Sequence, residues 1–357
     1  MIIKKITLER FRNRRENTYF PAPDTTIVCG DNGRGKTNLL EGVFLLSGLK
    51  SWRTSHKSEL VMWGEEAASV KAEITSRNRE FQLRLDIEAS GRTAAFINGV
   101  KVTLKNPLSD VFRAVLFSPE DLLLVKGGPS ARRNLMDSTI FQMRPRYAQL
   151  WSKYLKIIKE KSRLLKEASV SSSSLLGEYN ILLAQTGAKV LSYRAAFCRQ
   201  MDISCRKIHE AISDGEESLE LKYKTVSTVL DLDAGEGQIE QWLHQHLLSH
   251  REAEARSGMC LSGLHRDDIE IYINGRPAKT FASQGQARSC ALALRFGQRG
   301  LLFDDLGEHP VLLLDDVLSE LDEKRRAFVY GHSLGGQSII TCCQPEKGFE
   351  KAMVIDI

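Results

Sequence analysis

Residues 30–38 read Gly-Asp-Asn-Gly-Arg-Gly-Lys-Thr-Asn, and the spacing Gly30-x-x-x-x-Gly35-Lys36-Thr37 has a chemical meaning. Glycines at both ends let successive backbone N–H groups turn inward around an anion. Lys36 is placed to reach the outer phosphates of a nucleotide, and the Thr37 hydroxyl to sit on Mg²⁺. A β-rich run, Thr25–Cys29, precedes the loop, and a stretch with apolar residues at helical spacing, Leu39–Leu46, follows it. That helix would aim its positive dipole end at the same anion. The whole segment, with Asp31, Asn32, Gly33, Arg34 and Asn38 between and beside the motif residues, is expected to bind phosphate.

A second chemical signal lies about 280 residues further on. Val311–Leu314 is an all-apolar run that stops at two acids, Asp315 and Asp316. An acid at a strand end can hold the metal, directly or through water bound to Thr37, and Asp316 beside it can polarise an attacking water. Lys36, Asp315 and Asp316 are therefore the expected catalytic residues. Between the two signals stands Ser283-Gln284-Gly285-Gln286, at the start of a helix whose buried stripe is Ala287, Cys290, Ala291 and Leu294. Ser283 with Gln286 three residues on forms a capping box. An open helix start bearing Ser and Gly is also an anion site. Since Gly30–Thr37 already holds the chain's own phosphates, the second cradle is expected to serve the nucleotide of another subunit. His265-Arg266-Asp267-Asp268 has the look of a kinase catalytic loop, but position 272 is Tyr and no Asp-Phe-Gly follows.

The elements that must position these residues alternate between strand and helix at the two ends of the chain. Ile6 and Leu8 alternate with polar neighbours as in a half-buried strand. Residues 70–104 read as antiparallel strands, with a hairpin turn at Asn98-Gly99 and another at Asn274-Gly275. The middle is helical. From Pro145 to Glu167 a stripe of Tyr147, Leu150, Trp151, Tyr154 and Ile158 recurs. Ser169–Ser174 reads as a loop and Leu175 to about Ser213 as a second long helix, so the two should form an antiparallel arm. Another helix is expected over Ile239–Arg256. The expected fold is α/β, with an antiparallel β subdomain and an inserted helical arm. Residues 1–118 and 257–357 would form the head and 119–256 a mainly helical lobe, with the arm over about 145–213.

The 357 residues are 42% hydrophobic and 27% charged, ordinary for a soluble globular protein. No stretch approaches the roughly 18 apolar residues of a membrane span, so a membrane partner is not expected. Seven cysteines, odd in number and without a C-x-x-C pair, favour a reduced, cytoplasmic setting. The net charge is +5, yet Lys126–Glu167 alone holds 11 Lys and Arg against 3 Asp and Glu. Such local basicity marks an anionic partner such as nucleic acid, or a solvated helix face. On the arm, Lys153, Lys156 and Arg163 project away from the apolar stripe and are the expected DNA contacts. Tyr147, Trp151 and Tyr154 fit core packing better than base stacking. Arg132 and Arg133 suit DNA, nucleotide or a domain junction.

The order of phosphate loop, helical insertion, Ser-Gln-Gly-Gln segment, acidic strand and Ser319-Glu320-Leu321-Asp322 resembles the ATP-binding-cassette (ABC) ATPases. Within that class the stretches LERFRN, GKTNLLEG, SWRTSHKSEL, LFSPEDLLLVKGGPSARRNLMD, HRDDIEIYINGRPAKTFASQGQARSCALAL and LLLDDVLSELDEKRR are similar to the RecF family, over nearly the whole chain. This resemblance implies an ABC-type P-loop ATPase head related to the SMC heads, with ATP and Mg²⁺ as its ligands. Two heads would sandwich two ATP molecules, so that Ser283, Gln284, Gly285 and Gln286 of one face the nucleotide held by Lys36 of the other. ATP-dependent homodimerisation on single- or double-stranded DNA, at gaps or junctions, slow hydrolysis, and work with RecR and RecO to load RecA are implied in the same way. Glu120 falls at the position of the metal-contacting glutamine of cassette ATPases. The chain departs from the family at Leu264, where a proline is usual. It departs again at Cys342-Cys343-Gln344, where a threonine-rich turn is usual and cassette ATPases carry a switch histidine. The alternative is the nucleotide-binding subunit of an ABC transporter.

Overall fold

The structure, a computed structural model, describes residues 1–102, 107–167, 172–333, 335–344 and 352–357. The chain divides into two compact units. One comprises Met1–Val125, Ser204–Ser218 and Ala282–Ile357, the other Lys126–Ile203 and Leu219–Phe281.

Two sheets build the first unit. Strands β1 (Ile2–Phe11), β2 (Arg14–Tyr19), β4 (Ala67–Ser76), β5 (Arg79–Glu88), β6 (Thr93–Ile97) and β7 (Val100–Lys101) form an antiparallel sheet in the order β2-β1-β4-β5-β6-β7. Alternation decides which face is buried: Ile6 and Leu8 of β1, and Ala68, Val70, Ala72 and Ile74 of β4, all point inward. The second sheet is parallel, in the order β14 (Met353–Asp356), β3 (Thr25–Cys29), β13 (Ser338–Cys342), β12 (Val311–Asp315), β8 (Ala114–Phe117). Four of its strands are buried along their full length, so they are rich in apolar and β-branched residues and lack a polar face. Helix α1 (Lys36–Leu45) joins the sheets: Leu39, Leu40 and Val43 share one core with Ile6 and Leu8 of β1 and with Val311 and Leu313 of β12. The carboxyl ends of the parallel strands lie along one edge, with Cys29 beside Cys342 and Asp315 beside Thr341. That edge is where open α/β sheets carry ligands.

Three further helices belong to this region. Helix α2 (Leu122–Lys126) follows β8; α9 (Gln284–Leu306) precedes β12; α10 (Glu323–Ser333) follows it. Helix α9 begins at Ser283 with both halves of the capping box formed and ends at Gly307, so the predicted start of this helix is the observed one.

The second unit is mainly helical. Helices α3 (Pro129–Met143), α4 (Pro145–Glu167) and α5 (Ser172–Ser213) come first, the last turns of α5 clustering with the first unit. Then come β9 (Leu219–Lys224), α6 (Glu236–Ser249), α7 (Arg251–Ser257), β10 (Asp268–Ile273), β11 (Arg276–Pro277) and α8 (Ala278–Phe281), the strands forming an antiparallel sheet in the order β11-β10-β9. Tyr147 of α4 meets Tyr193 of α5, and Tyr154 meets Gly187, so the two long helices run antiparallel. A fully buried Arg194 binds them: it donates to Asp137, to the Tyr147 hydroxyl at 3.0 Å and to the Leu264 carbonyl at 2.6 Å, and lies over the Trp151 ring.

Several expectations change. Of the segment read as a loop over Ser169–Ser174, residues 169–171 lie outside the described residues, while Ser172–Ser174 already belong to α5. The helix expected over Ile239–Arg256 is two, α6 and α7, with His250 between them. Residues 257–281 group with the second unit because β10 pairs along β9, Asp268–Ile273 against Leu219–Lys224. Residues 119–125 and 204–218 group with the first. The basic segment is less exposed than its composition implies. Lys161 is buried against Glu254 at 2.6 Å, and Arg132 against Asp268 at 2.8 Å. Arg133 donates to the Asp267 carbonyl at 2.8 Å.

Candidate functional site

The phosphate loop leaves β3 at Cys29 and enters α1 at Lys36. Gly35 has φ 95°, and a Cβ there would come within 2.6 Å of Arg14 Nε and 2.9 Å of Asn13 Oδ1. Only glycine satisfies both the left-handed backbone and the close approach. Helix α1 has no side-chain cap and no acidic residue in its first turn, so its electropositive start is left for an anion. Lys36, buried, turns its ammonium onto the loop's own carbonyls, those of Gly30 and of Asp31 at 3.2 Å. Asp31, Asn32, Gly33 and Arg34 form the exposed tip.

The acidic strand meets the loop directly. Thr37 Oγ1 donates to Asp315 Oδ1 at 2.9 Å, across 278 residues of sequence. Thr341, next to Asp315 on β13, donates to the same carboxylate oxygen at 2.9 Å, and its hydroxyl accepts from the Asp316 backbone N–H at 3.0 Å. Burial holds the Asp315 carboxyl above its ordinary value, partly offset by the Thr341 and Thr37 hydroxyls and the Arg53 charge. Asp316 is exposed and adopts φ 53°, an uncommon conformation for a residue with a side chain that marks a constrained position. An uncapped helix start, a lysine resting on carbonyl oxygens, and a hydroxyl–carboxylate pair fit a phosphate chain with its divalent cation. Thr37 and Asp315 are the residues that would hold the cation.

The other candidates fall into place around this edge or away from it. Glu120 is exposed on the turn after β8, three residues beyond Phe117, which pairs with Leu314. Its neighbour Asp121 is the buried one, bound by Arg295 at 2.9 Å. Asn38 is engaged: it donates to Asn13 Oδ1 at 2.7 Å and accepts from Arg53 at 2.6 Å. Ser283 and Gln284 are exposed at the start of α9. The Gln286 amide is occupied twice, by the Ser283 N–H at 2.9 Å and by Glu217 at 2.9 Å. Gly285 approaches Arg325, whose guanidinium donates to its carbonyl at 2.9 Å. In the second unit Lys153, Lys156 and Arg163 are exposed on α4, with Arg163 near Glu160 at 3.3 Å. Tyr147 and Tyr154 are core residues. His246 hydrogen-bonds Ser262 and, at 2.9 Å, Thr228, so it serves packing of the second unit.

Neighbours of the phosphate loop escaped the sequence reading. Asn13, Arg14 and Arg53 flank the phosphate loop: Asn13 donates to the Gly33 carbonyl at 3.3 Å and Arg14 to that of Arg34. Glu41, fully buried, takes Arg12 through two bonds at 2.9 and 2.7 Å and Arg53 at 3.1 Å. These residues lie in or beside the stretches LERFRN, GKTNLLEG and SWRTSHKSEL, but no spacing rule ties them to Gly30–Thr37. Cys343, exposed, lies 3.9 Å from Lys36 Nζ and 3.3 Å from Asn32 Oδ1. A thiol therefore stands over the loop, from the Cys342-Cys343-Gln344 turn in which the sequence holds no histidine.

The parallel sheet, with a phosphate loop and an acidic strand at its carboxyl edge, defines the class as a P-loop nucleotide-binding head with an inserted helical unit. The family model described as RecF/RecN/SMC N terminal domain matches residues 2–354. The DNA replication and repair protein RecF of Clostridium perfringens is 34% identical over 342 residues, covering 96% of this chain and 93% of that one. Two solved structures superpose closely. The recombination mediator protein RecF-ATPrS in the RecFOR pathway gives a TM-score of 0.91 at 31% identity, covering 99% of this chain and 95% of the other. The corresponding RecF-ATP structure gives 0.90 at 32%, covering 97% and 93%. The chain belongs to the RecF family. These relatives give the transporter alternative no support.

Proposed function

We propose that this protein binds ATP with Mg²⁺ and uses it to pair two copies on DNA in recombinational repair and replication restart, with slow hydrolysis releasing the pair. The observation that carries this reading is the 2.9 Å bond between Thr37 and Asp315. It brings the two halves of a phosphate-and-metal site together within one unit. The relative solved as RecF-ATP supports ATP as the nucleotide.

In this reading each residue has a role. Gly30–Asn38 wraps the phosphates, with Asp31, Asn32, Gly33 and Arg34 at its exposed tip. Lys36 leaves its carbonyl partners for the outer phosphates. Thr37 and Asp315 would hold Mg²⁺, which would supply charge neutralisation at those phosphates. Asp316, exposed at the strand end, orients and polarises the attacking water; Glu120 is a further contact on the same edge. Ser283 and Gly285, with Gln284 beside them, face the nucleotide of the second copy. Gln286 holds that turn in shape, since its amide is already engaged by Ser283 and Glu217. Lys153, Lys156 and Arg163 contact DNA phosphates. The pathway named for the solved relatives supports RecR and RecO as partners; recombinase loading at gaps, in the cytoplasm, is the outcome proposed with them. Among the described residues no helix is long and apolar enough to cross a membrane.

The test is size analysis and DNA binding with and without ATP, for the wild type and Ser283→Arg. Wild type should dimerise with ATP and bind DNA more tightly. The variant should bind ATP yet stay monomeric. Equal dimerisation of both proteins would sink the role of the α9 start.

A further inference from the structure

Two exposed segments of the first unit are joined by one side chain. Arg325 lies on α10, three residues after Asp322 closes the Ser319–Asp322 loop. Its guanidinium donates Nε to Ser289 Oγ at 2.9 Å, Nη2 to the Gly285 carbonyl at 2.9 Å and Nη1 to the Asp322 carboxylate. The Asp322 carboxylate also accepts from the Arg325 backbone N–H at 2.9 Å. Thus a three-sided fork ties the first turns of α9 to the loop that leaves the acidic strand. Gly285 is part of the fit, because a Cβ there would lie 3.2 Å from Nη2. Ser289 is 2% exposed, so this end of the fork is anchored in the core. Asp322 stands at the surface.

The other side of the α9 start is also held. Gln286 Nε2 donates to Glu217, which in turn bonds the buried His209 at 3.0 Å. The turn bearing Ser283 is thereby fixed between the chain around 209–217 and α10. A planar guanidinium suits this task better than an ammonium, since three acceptors are met by one rigid group.

We propose that Arg325 is a positioning residue for pairing: it locks the Ser283–Gln286 turn and the Ser319–Asp322 loop into one rigid surface that meets the nucleotide held by a second copy. The proposal rests on the ATP-driven pairing proposed above. Without the fork, the second copy would have to order two independent segments as it binds, and that ordering cost weakens association. The nucleotide site of the same copy, at Lys36, Thr37 and Asp315, is not part of the fork.

Arg325→Ala, Arg325→Lys and Lys36→Ala provide the test, with fluorescent ATP binding, light-scattering mass and steady-state hydrolysis as readouts. Arg325→Ala should bind ATP within about threefold of wild type and unfold cooperatively. Its dimer dissociation constant should rise about tenfold or more, the scale of removing charged hydrogen bonds. Arg325→Lys should fall between the two. Mixing separates positioning from general damage. Arg325→Ala keeps its own loop, and Lys36→Ala keeps its own pairing surface. A mixed dimer holds one intact composite site, so the mixture should hydrolyse ATP well above either parent. A mixture no more active than its parents, or an Arg325→Ala protein that dimerises like wild type, overturns the proposal. Should wild type itself stay monomeric with ATP, the pairing reading fails first, a result distinct from any defect of Arg325.

Discussion

Thr37 and Asp315 share a 2.9 Å hydrogen bond although 278 residues separate them. Placing that carboxylate inside the fold is costly. Burial raises its pKa, and the hydroxyls of Thr341 and Thr37 with the Arg53 charge only partly restore the ionised form. The folded chain therefore holds a proton on Asp315 more readily than the unfolded chain does. Its contribution to stability rises as pH falls into the carboxylate range, and it is a burden at neutral pH. Asp315→Asn should melt, without Mg²⁺, at a temperature equal to or above that of wild type. Its Mg²⁺-dependent gain in ATP affinity should drop by about ten- to a hundredfold. Differential scanning fluorimetry with ATP, with and without Mg²⁺, reads both effects. A variant that is less stable and still responds to Mg²⁺ would contradict the assignment.

Glu41 is expected to be a large stability determinant. Its side chain is fully buried, and two arginines close on it, Arg12 with 17% and Arg53 with 37% of the side chain exposed. Removing the acid leaves both guanidinium groups without their shared counter-charge, which typically costs about 3–5 kcal/mol for a buried pair. Because both arginines retain some access to water, Glu41→Ala should lose about 3 kcal/mol, and Glu41→Gln less. Urea denaturation midpoints measure this. Since Arg53 also bonds Asn38, nucleotide affinity should fall along with stability.

The parts of this site carried by contiguous spacing were legible in the sequence. Gly30–Thr37 fixes its own geometry through a strand, a turn and a helix start, and Ser283 with Gln286 forms a cap within one turn. The apolar run Val311–Leu314 announced a buried strand, and its end placed Asp315. What was not legible arises from pairing between distant strands. Thr341 meets Asp315 only because β13 lies beside β12 in that register. Asn13 and Arg14 reach the loop only because the β1–β2 turn folds over it. Lys161 counted as surface charge in the sequence and is buried because Glu254, 93 residues away, is its partner.

His265 should control the acid limit of the second unit. Burial holds its imidazole down to about 4, and Arg266, Arg133 and Arg194 add to the effect. The sign follows from proton binding: a histidine depressed in the folded state adds stability that is whole above its ordinary value near 6.5. That stability is lost as pH falls toward about 4. The unfolding free energy of wild type should therefore decline across this window. His265→Gln, which carries no titrating group, should show a flatter decline between pH 6.5 and 4. Denaturant titrations at a series of pH values test it, and parallel curves for both proteins would remove His265 as the cause.

Two sets of cations from the same basic segment should behave differently toward DNA. Lys153 and Lys156 stand exposed on α4, open to neutralise phosphates and release counterions. Each lysine–phosphate pair removed should reduce the slope of log affinity against log salt by about 0.7–0.9. Arg132 and Arg133 are committed within the second unit, to the Asp268 carboxylate and the Asp267 carbonyl. Arg132→Ala strands the Asp268 carboxylate, which is 17% exposed, and should appear as lower thermal stability. Its salt slope should stay that of wild type. The double variant Lys153→Ala/Lys156→Ala should keep its melting temperature and bind DNA more weakly at low salt, the gap to wild type closing as salt rises. Fluorescence anisotropy on a gapped duplex between about 50 and 200 mM salt, the range over which phosphate binding weakens steeply, distinguishes the two sets. An unchanged slope in the lysine variant would place the DNA surface away from α4.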